Sequence, residues 1–223
     1  MKIVALIPAF QAAATVAEVV EETRRVLPEV FVIDDGSSDG TAAAARNAGA
    51  GLLRLESNRG KGAALRTGFG YALAGGADAV VTLDADGQHD PGEIPRLVDL
   101  WTSSRAGIVI GSRLHLQDGM IPIRRFGNRF SDRAISLFSG AHVKGTQSGF
   151  RLYDAALLRA LRLAGTGYEL ESEVIVKAVR SGFQVVSVPV RLRSVEGSRT
   201  SHYRPWRDTA RICVRVVASR IWG

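Results

Sequence analysis

The sequence predicts a single α/β domain built on a mostly parallel sheet flanked by helices. Three observations carry that expectation. Apolar, β-rich runs alternate with helical patterns from the N-terminus onward, polar clusters follow the strand ends, and 223 residues with 46% hydrophobic content can bury one sizeable core. Residues 3–7 read as the first strand, and 13–27 as an amphipathic helix with Val16, Val19, Val20 and Thr23 on one face and Val26 or Leu27 closing it. Residues 30–33 follow as a strand, 41–48 as an alanine-rich helix and 52–55 as a third short strand. A helical pattern over 62–74 then leads into an apolar strand over 79–83. Such alternation gives right-handed crossovers, and ligands on these sheets bind outside the carboxyl ends of the strands. Three of those ends carry polar clusters, at 8–11, 34–41 and 84–90, so one site can draw on all three.

The third cluster carries the most chemistry. Its strand reads AVVTL and runs into DADGQHDP, with Gly87 and Pro91 marking a loop. On an extended backbone Asp84 and Asp86 would project to one side, with Gln88 continuing the alternation. Two close carboxylates repel unless a cation lies between them, and hard oxygen ligands suit Mg²⁺ or Mn²⁺. A solvated turn rich in Asp and Gly is the competing reading of a bare D-x-D. A calcium loop is excluded, because its twelfth position from Asp84 is Pro95 where a bidentate Glu is needed.

Composition narrows the setting. Cys213 is the only cysteine, so neither an intramolecular disulfide nor a cysteine-based zinc site forms, which fits a reducing compartment. His89, His115, His142 and His202 show no ligand spacing. Lys2 precedes only IVALI before Pro8, too short for a signal-peptide apolar region, and no run of about 18 apolar residues would span a bilayer. Charge is concentrated at the C-terminus: from Arg191 to Gly223 eight Arg stand against Glu196 and Asp208, giving +6 of the net +7. Over 204–223, Trp206, Ala210, Cys213, Val214, Val217 and Ile221 share a helical face beside a stripe of Arg207, Arg211 and Arg215. With Trp206 and Trp222 as flanking anchors, this segment is expected to be an interfacial helix on an anionic membrane, against the alternatives of core packing or a solvated basic face. No nucleic-acid module accompanies the charge.

The remaining motifs exclude some functions. PAFQAAAT after the first strand is not the G-x-G-x-x-G of a dinucleotide fold, nor the glycine-rich signature of a sugar nucleotidyltransferase. NRGKGAALRTG offers glycines and Lys61 but not P-loop spacing.

Taken in order, IPAFQ (7–11), VIDDGSSDGT (32–41), NRGKGAAL (58–65), LDADGQHDP (83–91), GSR (111–113) and TQSGFRLY (146–153) resemble family 2 glycosyltransferases of the GT-A fold. The resemblance covers essentially the whole chain and is strongest to the dolichyl-phosphate mannose synthase and polyprenyl-phosphate glycosyltransferase branch. It implies a catalytic domain over 1–203 that transfers a sugar, glucose or mannose foremost, from a UDP- or GDP-sugar with inversion, using Mg²⁺ or Mn²⁺. Pro8, Phe10 and Asp35, with Asp34 as second choice, would line the nucleoside pocket. Lys61 and the loop of Asp84, Ala85 and Asp86 would meet the donor, with Asp84, Asp86 and Gln88 holding the cation. Arg113, Arg124, Asn128, Arg193, Ser198 and Arg199 would gather around an acceptor phosphate and the leaving pyrophosphate. Arg124 and Asn128, spaced i, i+4, would share one helical face.

A polyprenyl phosphate acceptor is already ionised at neutral pH, with a second pKa near ~6 by analogy with phosphoresidues, so no general base is required. A hydroxyl acceptor would need one. The segment GYELESE (167–173) is where it would come from, and Glu169 and Glu173 match acidic positions of the branch while Glu171 is less regular. First-turn helix charge is the plainer reading of at least two of the three. Departures from the family pattern are Gln11 for its asparagine, Ala12 for the acid after it, Gly145 for the aspartate before TQSGFR, and Arg199 for a lysine. Many relatives continue into transmembrane helices. The expectation here is a cytoplasmic protein peripheral to the inner face of the plasma membrane, or one with a membrane-protein partner. The rival readings are a hydroxyl-acceptor transferase and a non-catalytic membrane-binding protein on a decayed transferase fold.

Overall fold

Strict alternation buries the first strand on both faces. In β1 (Ile3–Ala9), Val4 and Leu6 enter one core while Ala5 and Ile7 enter the other. The computed structural model describes residues 1–112, 133, 135–137, 140 and 143–193. The expected basic helix at 204–223 and the candidates Arg113, Arg124, Asn128, Ser198 and Arg199 lie outside the described residues.

The chain proceeds through α1 (Val16–Val26), β2 (Glu29–Asp34), α2 (Thr41–Asn47), β3 (Gly51–Arg54), α3 (Lys61–Ala74) and β4 (Ala79–Thr82). A 3₁₀ turn (Pro91–Glu93) opens α4 (Ile94–Ser104), followed by β5 (Ile108–Ser112), β6 (Arg151–Asp154), α5 (Ala155–Ala160), α6 (Glu169–Arg180) and β7 (Val185–Pro189). The seven strands form one sheet in the order β3-β2-β1-β4-β6-β5-β7. Only β6 runs against its neighbours β4 and β5. The sheet is therefore mostly parallel, as the alternation predicts, and its parallel strands end at one edge. Asp34, Arg54, Thr82 and Ser112 close their strands there, while Arg151 opens β6 at the same edge.

Two apolar layers hold the sheet. One packs α3, α5 and α6 through Leu65, Phe69, Leu157, Leu170, Val174 and Ile175. The other packs α1, α2 and α4 through Val16, Val20, Ala45, Ile94, Leu97 and Trp101. Helix α1 begins at Val16 rather than at 13, because the N–H groups of Thr15 and Val16 both turn back to the Ala12 carbonyl. The same turn carries the Thr15 hydroxyl, which donates to the Ala85 carbonyl at 2.6 Å and moors the D-x-D loop to α1. No described helix is long and apolar enough to cross a membrane.

Phe69 is almost fully buried and meets Tyr153 edge to face at 5.2 Å. Truncating it removes this ring pair and leaves a cavity in the layer, so Phe69→Ala is expected to lower stability by about 3–5 kcal/mol in urea unfolding. A loss under about 1 kcal/mol would show that this face is not packed as described.

Candidate active site

The D-x-D loop leaves the sheet after Thr82 and does not stay extended. The Asp86 side chain accepts the Gln88 N–H at 3.0 Å, folding the loop into a turn. The expected alternation of Asp84, Asp86 and Gln88 along one side of a strand is thus corrected: a local carboxylate-to-backbone bond sets the loop. Asp84 and Asp86 both remain partly open to solvent. The Asp84 carboxylate receives the Lys61 ammonium on Oδ1 at 2.6 Å and faces His89 Nε2 from Oδ2 at 3.4 Å. Burial pushes the Asp84 carboxyl up, but the Lys61 and His89 donors outweigh it and hold the group well below the usual carboxylate range. Burial likewise acts to lower Lys61, and its two carboxylate partners, Asp84 and Glu171, raise it well above its ordinary value. The ion pair is therefore charged throughout the neutral range.

Lys61 reaches this position through close backbone approach. A Cβ on Gly60 would stand 2.5 Å from the Thr166 carbonyl oxygen, and one on Gly62 would stand 2.5 Å from that of Gly167. With both glycines bare, the Ala63 N–H donates to the Thr166 carbonyl at 2.9 Å, and the start of α3 lies flat against the 164–167 loop. Lys61 then extends past the Tyr168 ring, 5.8 Å from its centroid, to Glu171. Its Nζ lies 3.3 Å from Oε1 and 3.2 Å from Oε2.

The acids of the 167–173 segment have separate tasks. Glu169 accepts the N–H groups of Thr166 and Gly167 at 3.0 and 2.9 Å. Glu173 accepts the Gly165 N–H at 2.7 Å and pairs with Lys177 at 3.1 Å. Both shape the loop that abuts α3. Glu171, the least regular of the three by motif, is the one beside the D-x-D loop.

Arg151 organises this corner, and sequence reasoning had no signal for it beyond its place in TQSGFRLY. Its side chain is wholly buried at the start of β6 and donates to the carbonyls of Ser148 at 2.7 Å, Thr146 at 2.7 Å and Glu171 at 2.8 Å. Next to it Gly149 lets Asp84 approach: a Cβ there would lie 2.4 Å from Asp84 Oδ2. Gly145 adopts φ 74°, and a Cβ would meet Ser112 Oγ at 2.8 Å, so the aspartate common in the family would be strained on this backbone.

The ends of β1 and β2 form the other side of the site. Asp35, only 3% exposed, accepts the N–H groups of Arg59 and Gly60 at 2.8 Å each, which ties β2 to the NRGKG loop. Burial raises its pKa and these two N–H bonds oppose the rise. Asp34 accepts the Ser37 N–H at 2.9 Å, and its Oδ2 lies 3.3 Å from Arg54 Nε. Pro8 is buried at the end of β1, and Phe10 is partly exposed beyond it. Gln11 has φ 52°, a left-handed conformation that asparagine adopts more readily, and is held by Ser37 Oγ on its N–H at 2.9 Å and by Ser38 Oγ on its amide at 3.1 Å. Arg193 is engaged with α1 and the D-x-D loop: its guanidinium pairs with Glu18 and Glu22 on α1, and its N–H donates to the Gln88 carbonyl at 3.0 Å.

Whether this loop fits a divalent cation follows from its donors. Among the described residues no three His, Cys, Asp or Glu side chains converge into a ready cage. Asp84 and Asp86 with Gln88 instead offer a partly open oxygen set, the kind that holds Mg²⁺ or Mn²⁺ through one or two carboxylates while a diphosphate supplies the rest. The residues fit such an ion, with Asp84 already shared with Lys61.

The sequence model described as Glycosyl transferase family 2 matches residues 4–162. The undecaprenyl-phosphate mannosyltransferase of Micrococcus luteus is 30% identical over 204 residues, covering 85% of this chain and 83% of that protein. This chain belongs to glycosyltransferase family 2. The polyprenol monophosphomannose synthase of Mycolicibacterium smegmatis is also 30% identical, over 83% of the chain and 75% of that protein. Among solved structures, glucosyl-3-phosphoglycerate synthase from Mycobacterium tuberculosis, in complex with Mn²⁺, uridine diphosphate and phosphoglyceric acid, superposes with a TM-score of 0.75 at 21% identity. That match covers 98% of this chain and 76% of the other, and it shows the GT-A fold of this glycosyltransferase.

Because Gly149 borders the Asp84 carboxylate directly, Gly149→Ala is expected to displace Asp84 and cut sugar transfer by about 100-fold while leaving the circular dichroism spectrum native. Transfer within about threefold of the parent would show that the placement of Asp84 does not govern the reaction.

Proposed function

We propose that this family 2 glycosyltransferase moves glucose or mannose from a UDP- or GDP-sugar to a polyprenyl phosphate at a membrane surface, with inversion at the anomeric carbon and a divalent cation, Mg²⁺ or Mn²⁺. The observation that carries this reading is the engagement of all three acids in the 167–173 segment. Glu169 and Glu173 hold backbone N–H groups, and Glu171 holds Lys61. A hydroxyl acceptor would need a carboxylate there as proton acceptor, whereas an ionised phosphate needs none. The undecaprenyl-phosphate and polyprenol transferases among the relatives support the same acceptor class.

In this reading the nucleoside lies across Pro8, Phe10 and the Asp34–Asp35 pair, where a carboxylate oxygen that accepts one N–H keeps a lone pair for a base N–H. Asp86 and Gln88, with Asp84, would hold the cation, which neutralises the charge that develops on the departing diphosphate. Lys61, shared between Asp84 and Glu171, would lie beside that group. Arginine forks from Arg113, Arg124 and Arg199, with Asn128 and Ser198, would align the acceptor oxygen with the anomeric carbon. Arg193 would join them only by leaving Glu18 and Glu22, so its first role is to hold the 190–193 segment against α1 and the D-x-D loop. The 204–223 segment would lie on an anionic membrane, placing the catalytic domain at the inner face of the plasma membrane, with or without a membrane-protein partner.

The test is transfer of labelled sugar from a panel of UDP- and GDP-sugars into undecaprenyl phosphate, with Mg²⁺ or Mn²⁺ and with EDTA. Label is expected in the solvent-extractable lipid, lost with EDTA, and reduced by about 10²–10³-fold in Asp86→Ala. Donor turnover with a hydroxyl acceptor and no lipid label would overturn the proposal.

A further inference from the structure

Lys61 is shared by two carboxylates, and only one of them belongs to the D-x-D loop. Its Nζ sits 2.6 Å from Asp84 Oδ1 on one side and 3.2–3.3 Å from both oxygens of Glu171 on the other. The geometry points to Glu171 as a positioning residue that acts through Lys61, holding the ammonium back from the donor diphosphate and offsetting its charge so that Asp84 keeps its negative field for the cation. This inference rests on the donor and cation reading proposed above.

The charge balance makes the case. Lys61 and Asp84 alone sum to zero, so a divalent cation at the loop would meet the charge of Asp86 only. With Glu171 included, Lys61, Asp84 and Glu171 sum to one negative charge. The buried Arg151 guanidinium nearby adds a constant positive charge, so removing the Glu171 charge still makes the corner one unit more positive, where a unit charge a few ångströms away is weakly screened. Position matters equally. Glu171 is anchored independently of its carboxylate, because its backbone carbonyl accepts from the buried Arg151 at 2.8 Å. Arg151 gives its other hydrogen bonds to the Thr146 and Ser148 carbonyls and the Tyr153 hydroxyl, whereas Lys61 meets the Glu171 carboxylate directly. Lys61 is fixed at its base by the contact of Gly60 and Gly62 with the 166–167 carbonyls. An anion entering beside the loop would therefore compete with Glu171 and Asp84 for the ammonium. Glu171 sets how readily it does so.

Two binding measurements on the whole chain read this out without turnover: Mn²⁺ affinity by paramagnetic resonance, and UDP or GDP affinity in EDTA by calorimetry. Glu171→Gln keeps the shape and removes the charge. It is expected to weaken Mn²⁺ binding about tenfold and to tighten the metal-free nucleotide diphosphate several-fold, as Lys61 is released. Lys61→Met is expected to do the reverse, tightening Mn²⁺ and weakening the nucleotide. The double variant should return Mn²⁺ affinity to within about threefold of the parent, which a merely structural role for Glu171 would not do. Glu171→Asp, which retains the charge, should also stay within about threefold, and with Lys61→Met it decides the matter should Glu171→Gln fail to fold. If the parent binds Mn²⁺ and nucleotide but the variants shift neither in these directions, the inference is overturned and the proposed function stands. If the parent binds neither, both fall.

Discussion

One ammonium joins three stretches of chain that are far apart in sequence. Lys61 opens α3, Asp84 lies in the loop after β4 and Glu171 lies in the first turn of α6, and they meet at a single nitrogen. Burying such charges is costly unless each is paired, and removing one partner leaves an uncompensated charge that is costlier still. The surrounding backbone is shaped to that requirement. Gly60 and Gly62 permit α3 to touch the 164–167 loop, Gly149 permits Asp84 to press against the strand beside it, and Arg151 fastens the 146–148 segment to α6.

From this corner the chemistry follows. The carboxylates that a hydroxyl acceptor would recruit as a base are already tied to backbone N–H groups or to Lys61, so the proposed reaction depends on alignment and charge neutralisation rather than proton removal. Asp86, the carboxylate of the D-x-D pair without a lysine partner among the described ion pairs, would in the proposed reaction be the foremost oxygen donor to a cation. The Thr15 hydroxyl on the Ala85 carbonyl and the Arg193 N–H on the Gln88 carbonyl hold the two ends of that loop.

Much of this was legible in the sequence, and the reasons are physical. The continuous apolar runs IVALI and AVVTL report strands buried on both faces, and their alternation with helical patterns made the mostly parallel sheet legible, as in the pairing of β1, β2 and β4. The antiparallel β6 could not, because its direction is fixed by pairing with β4 and β5 and not by any local pattern in RLYD. The D-x-D loop was legible as a carboxylate cluster, but the turn made by Asp86 with the Gln88 N–H was hidden, since an aspartate followed two residues on by any N–H can make it. Glu171 was the least regular acid by motif and is the one nearest the site, because helix phase and the glycine contact of α3 decide which acid faces Lys61. Arg151 was invisible as an organiser, since a lone Arg is ordinarily a surface residue and its three carbonyl partners come from loops whose shape only the fold defines.

The central proposal, transfer to an ionised phosphate with the acids of 167–173 already engaged, is tested most directly by matched acceptors. Undecaprenyl phosphate and undecaprenol share a chain and differ only in the attacking group. With the donor that gives turnover and with Mn²⁺ present, label is predicted to enter undecaprenyl phosphate alone, at a rate that levels off above the acceptor's second pKa near ~6. Comparable transfer to undecaprenol would contradict the account.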